Sequence, residues 1–324
     1  MSEESGASPS SWIGALAKIF EGGVPQVIAG PAGKAISRLV AGAADIPAAW
    51  LEKHAQSIRD EKDARSATMK AIGEAAAKSA SSQPELVDRA VERFAGDLSR
   101  KQDNREGVAR LTVGYLKIDP PPLDAPGPTD DWMNVFERHA EDASSEDFRD
   151  LWARILAGEI RKQGSYGLKT LQIVSTFDKT TARLVEKCLQ YAIGGALPVA
   201  AVQKALNFEE SFSLQDFGIY AMHGQFGSSH LWRVDPDGFG YLFLKTAAFR
   251  AKFPPNTSPQ FPCYVLTRAG REIATTLNIQ PDINGIALGL WDSNPRPLEL
   301  YRAPILATEG EQVRVGGWIS VPSP

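Results

Sequence analysis

Side chains able to do chemistry are sparse and badly spaced for it. Of the four histidines, His223 and His230 stand seven residues apart, with Asp235 and Asp237 downstream. A zinc site asks for tighter helical spacing or a firm third ligand, so the pair reads as ordinary loop residues and no metal is expected. His139, close to Glu141 and Asp142, reads as a charged helix end. The two cysteines, Cys188 and Cys263, lie far apart and read as reduced thiols of a cytosolic protein. Gly30-Pro-Ala-Gly33-Lys34 has part of a phosphate loop, but Ile28 replaces the leading glycine and Ala35 the magnesium-binding hydroxyl. No Gly-x-Ser-x-Gly elbow is present. These residues lead us to expect no catalytic residue, no cofactor and no small-molecule substrate: a non-enzymatic protein.

Charge is the next signal. Residues 128–160 carry nine acidic and three basic side chains, whereas 161–204 carry seven basic and two acidic. Arg183 and Lys187 fall one turn apart on a helix opened by Asp178, which makes them candidate nucleic-acid contacts. The whole chain is acidic, with a net charge of −4 and a pI near 5.7. Opposite charges pairing within or between subunits therefore explain the asymmetry better, and nucleic acid is not favoured as the partner.

The front of the chain offers a candidate contact of another kind. Trp12, Leu16 and Phe20 lie at helical spacing before Gly22-Gly23, and Ile36, Leu39 and Val40 lie on one side of a second stretch opened by Pro31. Lys34 and Arg38 take the other side. This is the pattern of a helix lying on something: the rest of the chain, a partner subunit or a membrane surface. Charges and prolines interrupt the segment before it reaches the length of a spanning helix. The opening Met-Ser-Glu-Glu-Ser is acidic where a secretory signal would be basic. A cytoplasmic protein, at most peripheral at the inner membrane, is expected.

These residues need elements to hold them. With 324 residues, 43% hydrophobic and 23% charged, a globular chain of more than one domain is the prior. The pattern predicts a front region over 1–118 with a long helix after Trp50, another from Pro84 and one over 101–116. Asp119 to Pro128 holds five prolines in ten residues and reads as a stiff connector spanning 119–130. A helical middle region over 131–195 follows. Asp131 is a candidate cap for a helix presenting Trp132, Val135, Phe136 and His139. Ser144 and Asp147 form a capping box for the stripe Phe148, Leu151, Trp152, Ile155, Leu156 and Ile160.

Over 196–324 the pattern becomes mixed. A helix from Ser213 boxed by Asp216 is followed by strands over 230–234 and 239–245 flanking Asp235-Pro-Asp-Gly238. A strand over 261–266, a helix capped by Thr267 and two further β runs over 298–321 complete the chain. Three helices within 168–223 and a wing near 230–266 would be a winged-helix-like α/β C-terminal module. The fold class is α+β, predominantly helical in its N-terminal half.

Asp131-Trp-Met-Asn-Val-Phe136, Leu151-Trp-Ala-Arg-Ile-Leu-Ala-Gly-Glu159, Gly164-Ser-Tyr166 and Leu168-Lys-Thr-Leu171 together resemble a bacterial domain of unknown function, number 2806. Gln102, Asn104 and Leu266-Thr-Arg-Ala-Gly-Arg-Glu272 extend the resemblance to roughly residues 30–280. Gln163 and Gly167 depart from it, where a proline and a serine would be expected. The family implies no reaction. The layout also resembles the abortive-infection alpha proteins linked to phage defence. The resulting expectation is a self-associating, homo-oligomeric protein of defence or stress response, with a DNA-binding regulator as the alternative.

Overall fold

The computed structural model describes residues 30–40, 84–221, 228–310 and 312–324. The expected front helix around Trp12 to Phe20 and the long helix after Trp50 lie outside the described residues. The chain divides into two compact units, Met1–Tyr166 and Gly167–Pro324. The division falls inside the expected middle region 131–195, and the proline-rich stretch 119–130 lies within the first unit rather than between units.

The first unit is helical: α1 (Pro31–Val40), α2 (Pro84–Ile118), α3 (Asp130–Ala140) and α4 (Glu146–Arg161). The two helices expected at Pro84 and Lys101 are one, because no proline interrupts Gly96 to Lys101 and the chain continues unbroken. The helices α3 and α4 each open on a hydroxyl cap. Thr129 Oγ1 accepts from the Trp132 amide at 3.3 Å, and Ser145 Oγ from the Phe148 amide at 3.3 Å. The caps therefore lie at Thr129 and Ser145, not at Asp131 and Ser144. The acids Asp130, Asp131, Glu146 and Asp147 fall in the first turns, where the helix dipole favours negative charge.

The apolar stripes of these helices meet. Val108, Val113 and Leu116 of α2, Trp132, Met133 and Phe136 of α3, and Trp152, Ile155 and Leu156 of α4 are buried together with Ile36, Leu39 and Val40 of α1. A buried carboxylate closes the end of α4. Glu159 accepts from the amides of Gly164 at 2.6 Å and Tyr166 at 3.0 Å. Gly158 makes room for the Tyr166 ring, since a Cβ there would lie 2.7 Å from it.

The second unit begins with α5 (Leu168–Ser175), α6 (Lys179–Leu189), β1 (Ala196–Pro198), α7 (Val199–Ala205) and α8 (Phe208–Asp216). Next come β2 (Tyr220–Ala221), β3 (Ser228–Leu231), β4 (Phe239–Phe243), β5 (Ala247–Lys252) and β6 (Gln260–Leu266). The last elements are α9 (Arg268–Leu277), α10 (Ile283–Trp291), β7 (Glu299–Glu309), β8 (Gln312–Val315) and β9 (Ile319–Ser320).

Two antiparallel sheets result. In one, β6 is central, with β1 on one edge and β2 then β3 on the other. In the other the order is β4-β5-β7-β8, with β9 also pairing β7. The expected hairpin across Asp235 to Gly238 is corrected here. The turn forms, with Asp235 Oδ1 accepting from the Phe239 amide at 2.8 Å and Val234 bridging Gly240, but the pairing goes no further: β3 pairs with β6 and β4 with β5. The apolar helix α10 contributes Ile286, Leu290 and Trp291 to a core with Trp232, Phe249, Phe253 and Leu300. The mixed architecture matches the expected α+β class at that level: ten helices among the described residues and two sheets.

Candidate functional site

Ile36, Leu39 and Val40 are buried. They leave no apolar surface for lipid or a partner subunit, which corrects that part of the expected contact. On the polar side of α1, Arg38 donates to Glu137 at 2.7 Å and Asn134 at 2.7 Å, while Lys34 pairs with Asp130 at 3.1 Å. The pattern of a helix lying on something was right; the something is α2 and α4 of its own unit. Trp12, Leu16 and Phe20 lie outside the described residues.

The candidate catalytic groups are occupied structurally. Burial pushes the Cys188 thiol up to about 12, and Cys263 is raised by burial as well, which suppresses the thiolate either would need as a nucleophile. His139 stacks on Trp152 with ring centroids 5.6 Å apart, and His230 lies against Phe261 at 5.1 Å. Burial lowers the pKa of both imidazoles, so both are neutral at pH 7. His223 lies outside the described residues. Among the described residues no three His, Cys, Asp or Glu side chains converge on a metal position.

Arg183 is exposed on α6, but Lys187 is engaged with Glu210 of α8 at 3.2 Å. That contact turns attention to α8. Asn207 caps it, with Glu210 reaching back to the Asn207 amide at 2.9 Å to complete a capping box. The helix thus begins five residues before the expected Ser213. Its register turns Leu214 inward and leaves Phe208 83% and Phe212 59% exposed, with their rings stacked at a centroid distance of 6.3 Å. Glu209 and Asp216 are exposed on the same helix, which carries no basic residue. Phe208 and Phe212 were missed in the sequence. Asn207 followed three residues later by Glu210 was the available signal, since it fixes the helix start and so the i, i+4 phenylalanine pair.

Two aromatic side chains held side by side in solvent expose apolar area that contact with another surface would remove from water. Residues 88–196 match the family described as Protein of unknown function (DUF2806). The resemblance carried by the tryptophan-bearing helices is thereby shown over about a third of the chain, from α2 to the first residue of β1. The stretches around α1 and α9 lie outside the match, as does α8. No curated protein and no solved structure matches the chain.

Proposed function

We propose that this is a non-enzymatic, self-associating binding protein whose second unit docks through α8. The exposed, stacked Phe208–Phe212 pair carries this reading. The occupant that fits is a second copy. Exposed Lys169, Lys179 and Arg183 give each copy a basic surface to meet the other's Glu209 and Asp216, and the phenylalanines supply the apolar centre. A setting in phage defence or stress response rests on layout alone.

Sedimentation velocity tests it. The wild-type chain should self-associate more strongly at low salt than at high salt, since the flanking charges are exposed and screened. Phe208→Ala with Phe212→Ala should leave a folded monomer of unchanged melting temperature. A wild-type protein that stays monomeric, or a double variant that associates as before, overturns the proposal.

One observation favours the alternative, duplex DNA. The order α6, β1, α7, α8, β2/β3, β6, with β6 between β1 and β2, supports that reading because it is compatible with a winged-helix module. The sequence made α6, with Arg183 and Lys187, the candidate recognition helix; there Lys187 is paired with Glu210, and the adjoining α8 would bring Glu209 and Asp216 towards phosphate. Charge therefore argues against it. Duplex binding at low salt that falls when Arg183 and Lys187 both become alanine would revive it.

A further inference from the structure

The second sheet has one face on the core and one turned outward. Along β4 the residues alternate: Gly240 and Leu242 are buried, while Phe239, Tyr241 and Phe243 point the other way, Phe243 being 51% exposed. Register sets Tyr241 opposite Arg250 and Arg250 opposite Tyr301, and Phe239 opposite Lys252. Trp318, just before β9, completes the group. The outward face is thus an aromatic floor carrying two cations, Arg250 and Lys252, and one carboxylate, Glu299, which stands opposite Lys252 and accepts from the Tyr301 hydroxyl at 2.7 Å.

Its centre is Arg250. The guanidinium lies over three rings, 5.0 Å from Phe239, 4.8 Å from Tyr301 and 5.0 Å from Trp318. Its Nε is buried without a hydrogen-bond partner, and among the described residues no carboxylate or carbonyl takes its donors. Lys252 stands over Phe239 at 4.2 Å. Rings hold the arginine in place and cover Nε, so the two Nη groups, which are not among the buried atoms, are the donors left for a ligand's oxygens.

We propose that this face binds single-stranded nucleic acid. Phosphate oxygens meet Arg250 and Lys252, and successive bases stack on the aromatic side chains. A sheet of this width accommodates about two or three stacked bases. Stacking tolerates any base because each has a π face, so the preference is for single strands over duplex rather than for a sequence. A duplex hides its base faces and offers only phosphate. This site is separate from α8 and survives failure of the self-association reading.

The test uses the full chain and fluorescence anisotropy with labelled oligothymidylate and oligouridylate of about 12 nucleotides, within the site sizes such platforms use. Tyr241→Ala with Phe243→Ala should weaken binding about tenfold or more, with the melting temperature showing the fold intact. Arg250→Met, which keeps an unbranched apolar stem between the rings, should reduce the slope of log affinity on log salt by about one phosphate contact. A matched duplex should bind more weakly than either single strand. The proposal is overturned by no anisotropy change at low salt, by duplex binding as tight as single strand, or by aromatic variants that bind as wild type. The last outcome would reduce the face to a charge patch.

Discussion

Phe136 meets Trp152 edge to face, with ring centroids 5.5 Å apart and planes at 82°. The contact joins α3 to α4, and both rings are sandwiched further: Trp132 stacks on Phe136 at 5.0 Å and His139 on Trp152 at 5.6 Å. Edge-to-face aromatic pairs add to the area they bury. Trp152 is 1% exposed. Trp152→Ala should therefore cost about 3–5 kcal/mol, the range for deleting a buried large aromatic. Chemical denaturation with an unchanged slope is the check. A loss under about 1 kcal/mol would mean that the first unit does not depend on this contact.

The close approach of α9 to Ile219, just before β2, gives a second prediction. A Cβ on Gly270 would lie 2.0 Å from the Ile219 carbonyl oxygen, which also accepts from the Thr267 amide at 3.1 Å. The two nearest atoms, the Ile219 carbonyl oxygen and carbon, are backbone, so α9 would have to move. Gly270→Ala should destabilise the second unit by about 2 kcal/mol or more despite alanine's better helix propensity. Gly164→Ala provides a contrast, since nothing lies within 4 Å of its Cβ position and only the φ of +81° opposes it. Thermal melts that rank the two in the reverse order would contradict the reading.

What the sequence made legible was mostly local. The stripe from Leu151 to Ile160 fixes its buried face without knowing its partner, and Asp178 and Thr267 announce their helices by capping them. Pairing over distance was not legible. The Asp235 to Gly238 turn predicts a reversal, yet nothing in it says that β3 goes to β6 and β4 to β5. The amphipathic α1 showed an apolar face but not what covers it. The aromatic floor escaped because Tyr241, Arg250, Tyr301 and Trp318 come together only through the β4-β5-β7 pairing and the return of β9 onto β7.

Acid should weaken the fold in two stages. Burial holds the pKa of His139 below its ordinary 6.5, and the charge of Arg138 adds to this; burial does the same to His230. The unfolded chain therefore takes up these protons first, and stability falls as pH drops below about 6.5. Glu141 follows. Burial works to raise its carboxyl pKa, but hydrogen bonding to Lys101 and the charge of Arg105 outweigh it and hold it below the ordinary 4.5. Its contribution is present above that value and lost as the pH falls through the lower folded one. Melting temperatures followed across this range should show both declines. Replacing His139 and His230 by phenylalanine should flatten the upper one while leaving the lower, and an upper decline of full size in that variant would refute the assignment.

The front of the chain supplies the last prediction, which separates core from association surface. Ile36, Leu39 and Val40 pack into the first unit, and Arg38 is fixed by Glu137 and Asn134. A deletion that removes α1 would expose the faces of α2 and α4 it covers. We expect that truncation through Val40 gives a strongly destabilised, aggregating protein, and that Leu39→Ala alone costs about 2–5 kcal/mol. A deletion ending before Gly30 removes Trp12, Leu16 and Phe20 but spares the packing of α1. That shorter deletion should stay folded, and its subunit count and retention on anionic vesicles then report what those three residues touch. Cosedimentation with vesicles and sedimentation velocity on both truncations provide the measurement. If truncation through Val40 melted at the wild-type temperature, α1 would not be core, and the original expectation that Ile36, Leu39 and Val40 face a partner would return.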